Sequence, residues 1–312
     1  MTELGPLRFD AWMQQALYDP VRGYYSRQIE TVGGRGDFTT TPMICDHLAH
    51  AIGKWADHTM RETGIRDLIE IGPGTGQLAM TVLKFLPWIR RRKCRLHLVE
   101  TSSPLKAQQR ELLGDKAVWH ETPAKAMEAC EGRAILYSNE LVDAFPCRRF
   151  ELTKDGWYEI HIQNGEVLMQ VEALPESSLF DCAFDVGQRI EVHESYREWL
   201  TAWLPMWQAG RMLTIDYGAP VHELYQRKPQ GSMRAYLLQQ RLIGMDIYAS
   251  MGRQDLTADV NFSDLIEWSK PWTQDNTISD LAEFLEGSKA PKEMTDPHGA
   301  GSAFKVLDQQ CR

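Results

Sequence analysis

Three glycines at alternate positions, Gly72, Gly74 and Gly76, follow the short apolar run Asp67-Leu68-Ile69-Glu70-Ile71. Glycine lacks the Cβ that would hold a ligand off the main chain, and it reaches the dihedrals that aim successive N–H groups at one point. The chemistry this favours is capture of a polar small molecule against bare backbone. The spacing is G-x-G-x-G, not the G-x-G-x-x-G that cradles a dinucleotide pyrophosphate. A second acid, Glu100, closes the run Arg95-Leu96-His97-Leu98-Val99 about 24 residues after Gly76, where it can accept both hydroxyls of a ribose. A third stretch, Ser138-Asn139-Glu140-Leu141-Val142-Asp143, supplies two carboxylates and an amide after another apolar run. Simpler readings stand beside these: a tight turn with no ligand, Glu100 capping the next helix, Asp143 capping a turn, and Asn139 satisfying loop backbone.

For these residues to meet, each must sit at the end of a strand in one parallel sheet, because strand ends line the ligand crevice of doubly wound folds. The pattern provides such strands. Apolar runs at 67–71, 94–100, 117–121, 133–137 and 211–218 alternate with helical spacing at 78–88 and 104–113, and 303–307 alternates like a final strand. Glu121 and Thr122, at the end of the third strand, are candidates for contact with an adenine. Asp216 and Tyr217 end the fifth. Ahead of the sheet, helical spacing at 7–18 and 43–62 brackets the loop Gly33-Gly34-Arg35-Gly36-Asp37-Phe38-Thr39-Thr40-Thr41-Pro42, whose glycines and hydroxyls suit a ligand-ordered segment. Two runs flanking Asn164-Gly165 read as an antiparallel hairpin, so 148–192 is a β-rich insertion placed to hold substrate. Helical spacing returns over 194–207, and Ser263 is placed to cap a helix over 264–269.

The 312 residues are 43 % hydrophobic and 25 % charged, the balance of a globular protein. A net charge of −9 argues against a general nucleic-acid binder, and Arg90-Arg91-Arg92-Lys93 reads as the cationic end of a helix. Cys45, Cys94, Cys130, Cys147, Cys182 and Cys311 form no C-x-x-C pair, so no metal is expected and the thiols fit a reducing cytoplasm. No signal peptide or membrane span is expected either.

The chain resembles the MidA-like methyltransferases, a group that includes a mitochondrial complex I assembly factor acting as a protein arginine methyltransferase. The resemblance rests on Ala16-Leu17-Tyr18 with Gly23-Tyr24-Tyr25, Gly36-Asp37-Phe38-Thr39-Thr40 with Pro42, Glu70 to Gly76, Asn139-Glu140 with Asp143-Ala144-Phe145-Pro146, Ile215-Asp216-Tyr217-Gly218, Arg234-Ala235 and Asp255-Leu256-Thr257-Ala258, in the family's order. It implies a class I methyltransferase fold, an α/β Rossmann-like architecture with a seven-stranded mostly parallel sheet, an N-terminal helical extension and the β-rich insertion. The expected boundaries are 1–62 for a helical cap and its loop, 63–147 with 193–312 for the core, and 148–192 for the arm.

It also implies S-adenosylmethionine as cofactor, with Glu70, Gly72, Gly74, Gly76, Glu100, Glu121 and Asn139 around it. Glu140 and Asp143, oriented by Asn139, would act on the acceptor, and Asp37, Phe38, Thr39, Asp216 and Tyr217 would line its pocket. Met43 stands where the family usually has glutamate, and Gln239 and Asp259 where histidines are expected. Three readings stay open: methylation of a protein side chain, most plausibly arginine; methylation of a small molecule; and a non-catalytic cofactor-binding assembly factor. None requires nucleic acid or membrane, and all leave a homodimer open.

Overall fold

The computed structural model describes residues 5–27, 42–163, 165–237, 240–286, 290, 295 and 300–312. Contacts divide the chain into two units. The first takes residues within 1–38, 142–199 and 217–267, and the second those within 39–141, 200–216 and 268–312.

The second unit is built on seven strands: β1 (Asp67–Ile71), β2 (Arg95–Val99), β3 (Ala117–His120), β4 (Ile135–Asn139), β5 (Arg211–Ala219), β6 (Thr273–Asp280) and β7 (Phe304–Cys311). Their order is β6-β7-β5-β4-β1-β2-β3. β1 pairs in parallel with β2 and β4, β2 with β3, and β4 with β5, whereas β6 and β7 are antiparallel. The order reverses between β1 and β4, the switch point at which such sheets open a crevice. β5 ends in Gly218 and Ala219, which count with the first unit and pair with Val260 and Asn261, an eighth strand that the seven-stranded expectation omits. Gly218 is required there: a Cβ would lie 2.1 Å from the Val260 carbonyl oxygen.

Helices α1 (Pro42–Thr63), α2 (Gln77–Phe85), α3 (Trp88–Arg91), α4 (Ser103–Leu113) and α5 (Pro123–Ala129) accompany this sheet. Leu48, Ile52, Ala56 and Met60 recur every four residues along α1 and share a core with Leu68, Val82, Leu96, Leu98, Ile135, Leu213 and Ile215. That packing corrects the expected 1–62 cap. α1 belongs with the sheet because its apolar stripe is buried against strand and α2 side chains, and it counts with the second unit.

In the first unit, the helix Phe9–Tyr18 buries Phe9, Trp12, Met13, Ala16 and Leu17, one face at helical spacing. Asp19 follows, its carboxylate accepting from the Val21 and Arg22 amides at 2.9 and 2.7 Å, which lowers its pKa. A five-stranded antiparallel sheet carries Leu7–Arg8, Gly156–Gln163, Arg148–Thr153 and Arg189–Val192 in that order, with Glu166–Gln170 also on Gly156–Gln163. The hairpin over 156–170 appears as expected, but this unit is larger than the 148–192 arm. Its core joins Ile160 and Ile162 to Phe9, Trp12, Met233, Tyr248 and Leu256. The helix at 262–269 begins one residue before Ser263, whose hydroxyl instead accepts from the Val221 amide at 3.0 Å.

Candidate functional site

β1 is buried along its whole length and turns into α2 through the glycines. All three have positive φ: 67° at Gly72, 52° at Gly74 and 81° at Gly76. They differ in what surrounds them. A Cβ on Gly72 would lie 2.7 Å from Leu141 Cδ1, and one on Gly76 would lie 3.1 Å from Gln109 Cγ, so both are glycine for packing reasons. Gly74 faces open space, with nothing within 4 Å of a Cβ. The turn therefore has a bare, open backbone at its centre, which fits a cofactor laid against it.

Glu100 lies just past β2 and is buried. Its Oε1 accepts from the Ser102 amide at 2.7 Å and its Oε2 from Gln109 Nε2 at 3.3 Å. Burial raises the pKa against the lowering effect of those two hydrogen bonds. Each carboxylate oxygen retains acceptor capacity for a ribose hydroxyl. Gln109 also donates to the Gly74 carbonyl at 2.7 Å and accepts from Trp119 Nε1 at 2.9 Å. One fully buried amide thus ties the glycine turn to Glu100 and to β3. The sequence reading missed it, although Gln109 interrupts the apolar positions Leu105 and Leu113 of α4, a visible signal.

Glu70 has a different surrounding. It sits within β1, 2 % exposed, and accepts a hydrogen bond from the Tyr137 hydroxyl at 2.8 Å. Burial pushes its pKa up to about 8 while the tyrosine pulls the other way. It is a neutral acid bracing two strands. Glu121 is exposed one residue beyond β3, and Thr122 caps α5 by accepting from the Lys125 amide at 3.3 Å.

At the end of β4, Asn139 Nδ2 donates to Glu140 Oε1 at 3.0 Å. Glu140 adopts φ 50°, a left-handed conformation that costs a non-glycine residue on the order of 1 kcal/mol. Its amide is fixed to the Ile215 carbonyl at 2.9 Å. The next amide, Leu141, donates to Asp216 Oδ2 at 3.1 Å, and the Leu141 side chain rests on Gly72. Asp216 is fully buried and acts here as a brace.

The remaining predicted positions are in the first unit or outside the described residues. Asp143 is buried, and its carbonyl accepts from the Ala258 amide at 3.0 Å. His193, which the sequence reading passed over, donates to the Asp143 backbone; burial lowers its pKa to about 4 and keeps the imidazole neutral. Tyr217 lies beneath the Arg234 guanidinium, 5.1 Å from carbon to ring centre. Tyr18 donates to the Ala144 carbonyl at 3.0 Å and Tyr25 to Asp255 at 2.8 Å, which accounts for several motif residues. Asp259 pairs with Arg234 and Lys228; burial would raise its pKa, but the two cations hold it below the ordinary value. The departure at 259 is therefore a carboxylate held between two cations. Asp37, Phe38, Thr39 and Gln239 lie outside the described residues, as does the side chain of Met43.

A sequence profile for the family described as "Putative S-adenosyl-L-methionine-dependent methyltransferase" matches residues 51–276. The chain belongs to this family. As a member of that methyltransferase family it is an enzyme, and its cofactor is S-adenosylmethionine. It is 26 % identical over 304 residues to the protein arginine methyltransferase NDUFAF7 homolog, mitochondrial, of Caenorhabditis elegans, covering 83 % of this chain and 67 % of that protein. Mouse NDUFAF7, also named a mitochondrial protein arginine methyltransferase, is 26 % identical over 291 residues, with 83 % and 65 % covered. This methyltransferase chain thus spans about two thirds of the length of these relatives. A crystal structure from Burkholderia thailandensis with S-adenosyl-homocysteine bound superposes with a TM-score of 0.80 at 23 % identity, over 98 % of this chain and 88 % of that one. The likeness shows a shared methyltransferase fold.

Proposed function

We propose that this protein methylates arginine side chains of other proteins, and that its sheet is the class I arrangement with a helical extension. Glycine backbone at 72–76 and the Glu100 carboxylate would hold the cofactor, which when bound supplies a methyl group activated on a sulfonium. A guanidinium cannot be deprotonated in advance, because its pKa exceeds about 12. A carboxylate can instead grip two of its nitrogens, draw the positive charge toward them and leave the third free to attack. Glu140 is the group for that task, with Asn139 holding its other oxygen. The observation that carries the reading is the strained backbone at Glu140, which aims an acid from the strand end one place over from the glycine turn. The relatives named as protein arginine methyltransferases favour the same acceptor.

A protein acceptor, no nucleic-acid partner and a cytoplasmic location complete the proposal; among the described residues no helix is long and apolar enough to cross a membrane. The test is incubation with methyl-labelled S-adenosylmethionine and cell extract, followed by hydrolysis of the labelled protein. Label in methylarginine is expected. Label confined to a small metabolite would replace the arginine reading, and no label in any fraction would leave only cofactor binding.

A further inference from the structure

At the start of the parallel strands, three side chains of different donor type converge. Asp67 opens β1, His97 lies in the middle of β2, and Cys130 follows α5. A carboxylate oxygen, a ring nitrogen and the sulfur all lie within 4.8 Å of one another, and all three residues are buried. His97 Nε2 is 3.0 Å from Asp67 Oδ1, and its Nδ1 is 2.9 Å from His120 Nε2. Asp67 presents its other oxygen to Arg95. Beside them opens a cavity of about 270 Å³, walled in part by Asp67, Arg95, Cys130 and Glu131.

We propose that Asp67, His97 and Cys130 form a binding site for a divalent transition metal ion of the zinc type. Thiolate, imidazole and carboxylate together are a set that tetrahedral zinc accepts, whereas magnesium and calcium prefer oxygen alone. Metal–ligand bonds of about 2.0–2.3 Å place tetrahedral ligands roughly 3.5 Å apart, so the three atoms need only small side-chain rotations to close on an ion. The cavity gives access and room for water as a fourth ligand. With Nε2 on the metal both rings change tautomer, His97 carrying its proton on Nδ1 and donating to His120 Nε2 while His120 carries its own on Nδ1. Neither ring loses a proton, and His120 remains the orienting partner of the ligating imidazole.

Charge and protons balance. The ion displaces the proton of the Cys130 thiol to solvent, and the resulting thiolate with the Asp67 carboxylate cancels the two positive charges, leaving Arg95 on the outer carboxylate oxygen. The ion would tie β1, β2 and the end of α5 together. Asp67 opens β1 and His97 is level with Ile69, so the site lies roughly 10–15 Å from the glycine turn and is separate from cofactor capture.

The full chain, stripped with chelator and reduced, is titrated with Co²⁺ and then Zn²⁺. One equivalent of Co²⁺ should give a thiolate-to-metal charge-transfer band and strong visible bands of tetrahedral cobalt, both erased by Zn²⁺, and Zn²⁺ should raise the melting temperature. Cys130→Ser and His97→Gln should each weaken Co²⁺ at least tenfold while binding S-adenosyl-homocysteine as the parent does; Cys94→Ser should keep the bands. Absence of the bands in the parent, or their survival in Cys130→Ser, would overturn the site and leave Asp67, His97 and His120 as a closed hydrogen-bond chain. Neither result bears on methyl transfer.

Discussion

Replacing Glu70 with glutamine should change how stability depends on pH. Burial inside β1 raises the Glu70 carboxyl from an ordinary 4.5 to about 8, so near neutrality the folded chain keeps a proton that the unfolded chain has released. Where the native state binds more protons, stability falls as pH rises; the loss begins near pH 4.5 and levels off above about pH 8. At about 1.4 kcal/mol per pH unit, the whole window is on the order of 5 kcal/mol, of which about 2 kcal/mol falls between pH 6 and pH 8. Glutamine has nearly the same shape and still accepts the Tyr137 hydroxyl, but it carries no titrating proton. The assay is thermal or urea unfolding of both proteins across pH 6–8. The parent should lose several degrees of melting temperature relative to Glu70→Gln, which should be the more stable protein at pH 8. Other titrating groups are common to both and cancel in the difference. Parallel profiles would refute the reasoning, since they would mean that Glu70 ionises in the folded sheet as freely as in water.

Four further outcomes follow from the residues proposed to hold cofactor and acceptor and from Gln109, which braces them. Gly74→Val places a branched side chain in the open centre of the turn at a φ that disfavours it, and should abolish the melting-temperature rise given by S-adenosyl-homocysteine. Glu100→Ala should weaken that ligand in calorimetry by about tenfold or more, the order expected for two lost charge-assisted hydrogen bonds. Gln109→Leu leaves the Gly74 carbonyl, Glu100 and the Trp119 N–H short of a partner, so it should lower both melting temperature and ligand affinity, at about 1–3 kcal/mol for each group left unpaired. Glu140→Gln should bind S-adenosyl-homocysteine normally yet slow methyl transfer at least tenfold; unchanged turnover would exclude a carboxylate grip.

The parts of the site legible in the sequence are those whose signals are local. The glycine spacing and the acid just past β2 each depend on a few consecutive residues, and the structure puts the glycines in a turn of positive φ and the acid at a strand end. Gln109 was hidden because its partners, Gly74, Glu100 and Trp119, come from three separate stretches. Asp67, His97 and Cys130 lack any metal-ligand spacing for the same reason: adjacent strands and a following helix bring them together. β6 went unread because Thr273–Asp280 is polar, has Thr273 as its one buried residue and shifts register between Gln274 and Thr277, so no alternation marks it. Helix α1 was read correctly as a helix but assigned to the wrong body, since amphipathic spacing tells which face is buried and not what covers it.

The methyl groups of Leu141 lie on Gly72, and the peptide that carries them leads directly from Glu140. If Glu140 holds the acceptor as proposed, a small molecule settling into the glycine turn would press on the residue that follows that acid. On the proposed reading, any coupling between the two occupants would run through this single aliphatic contact, backed by the Asp216 brace.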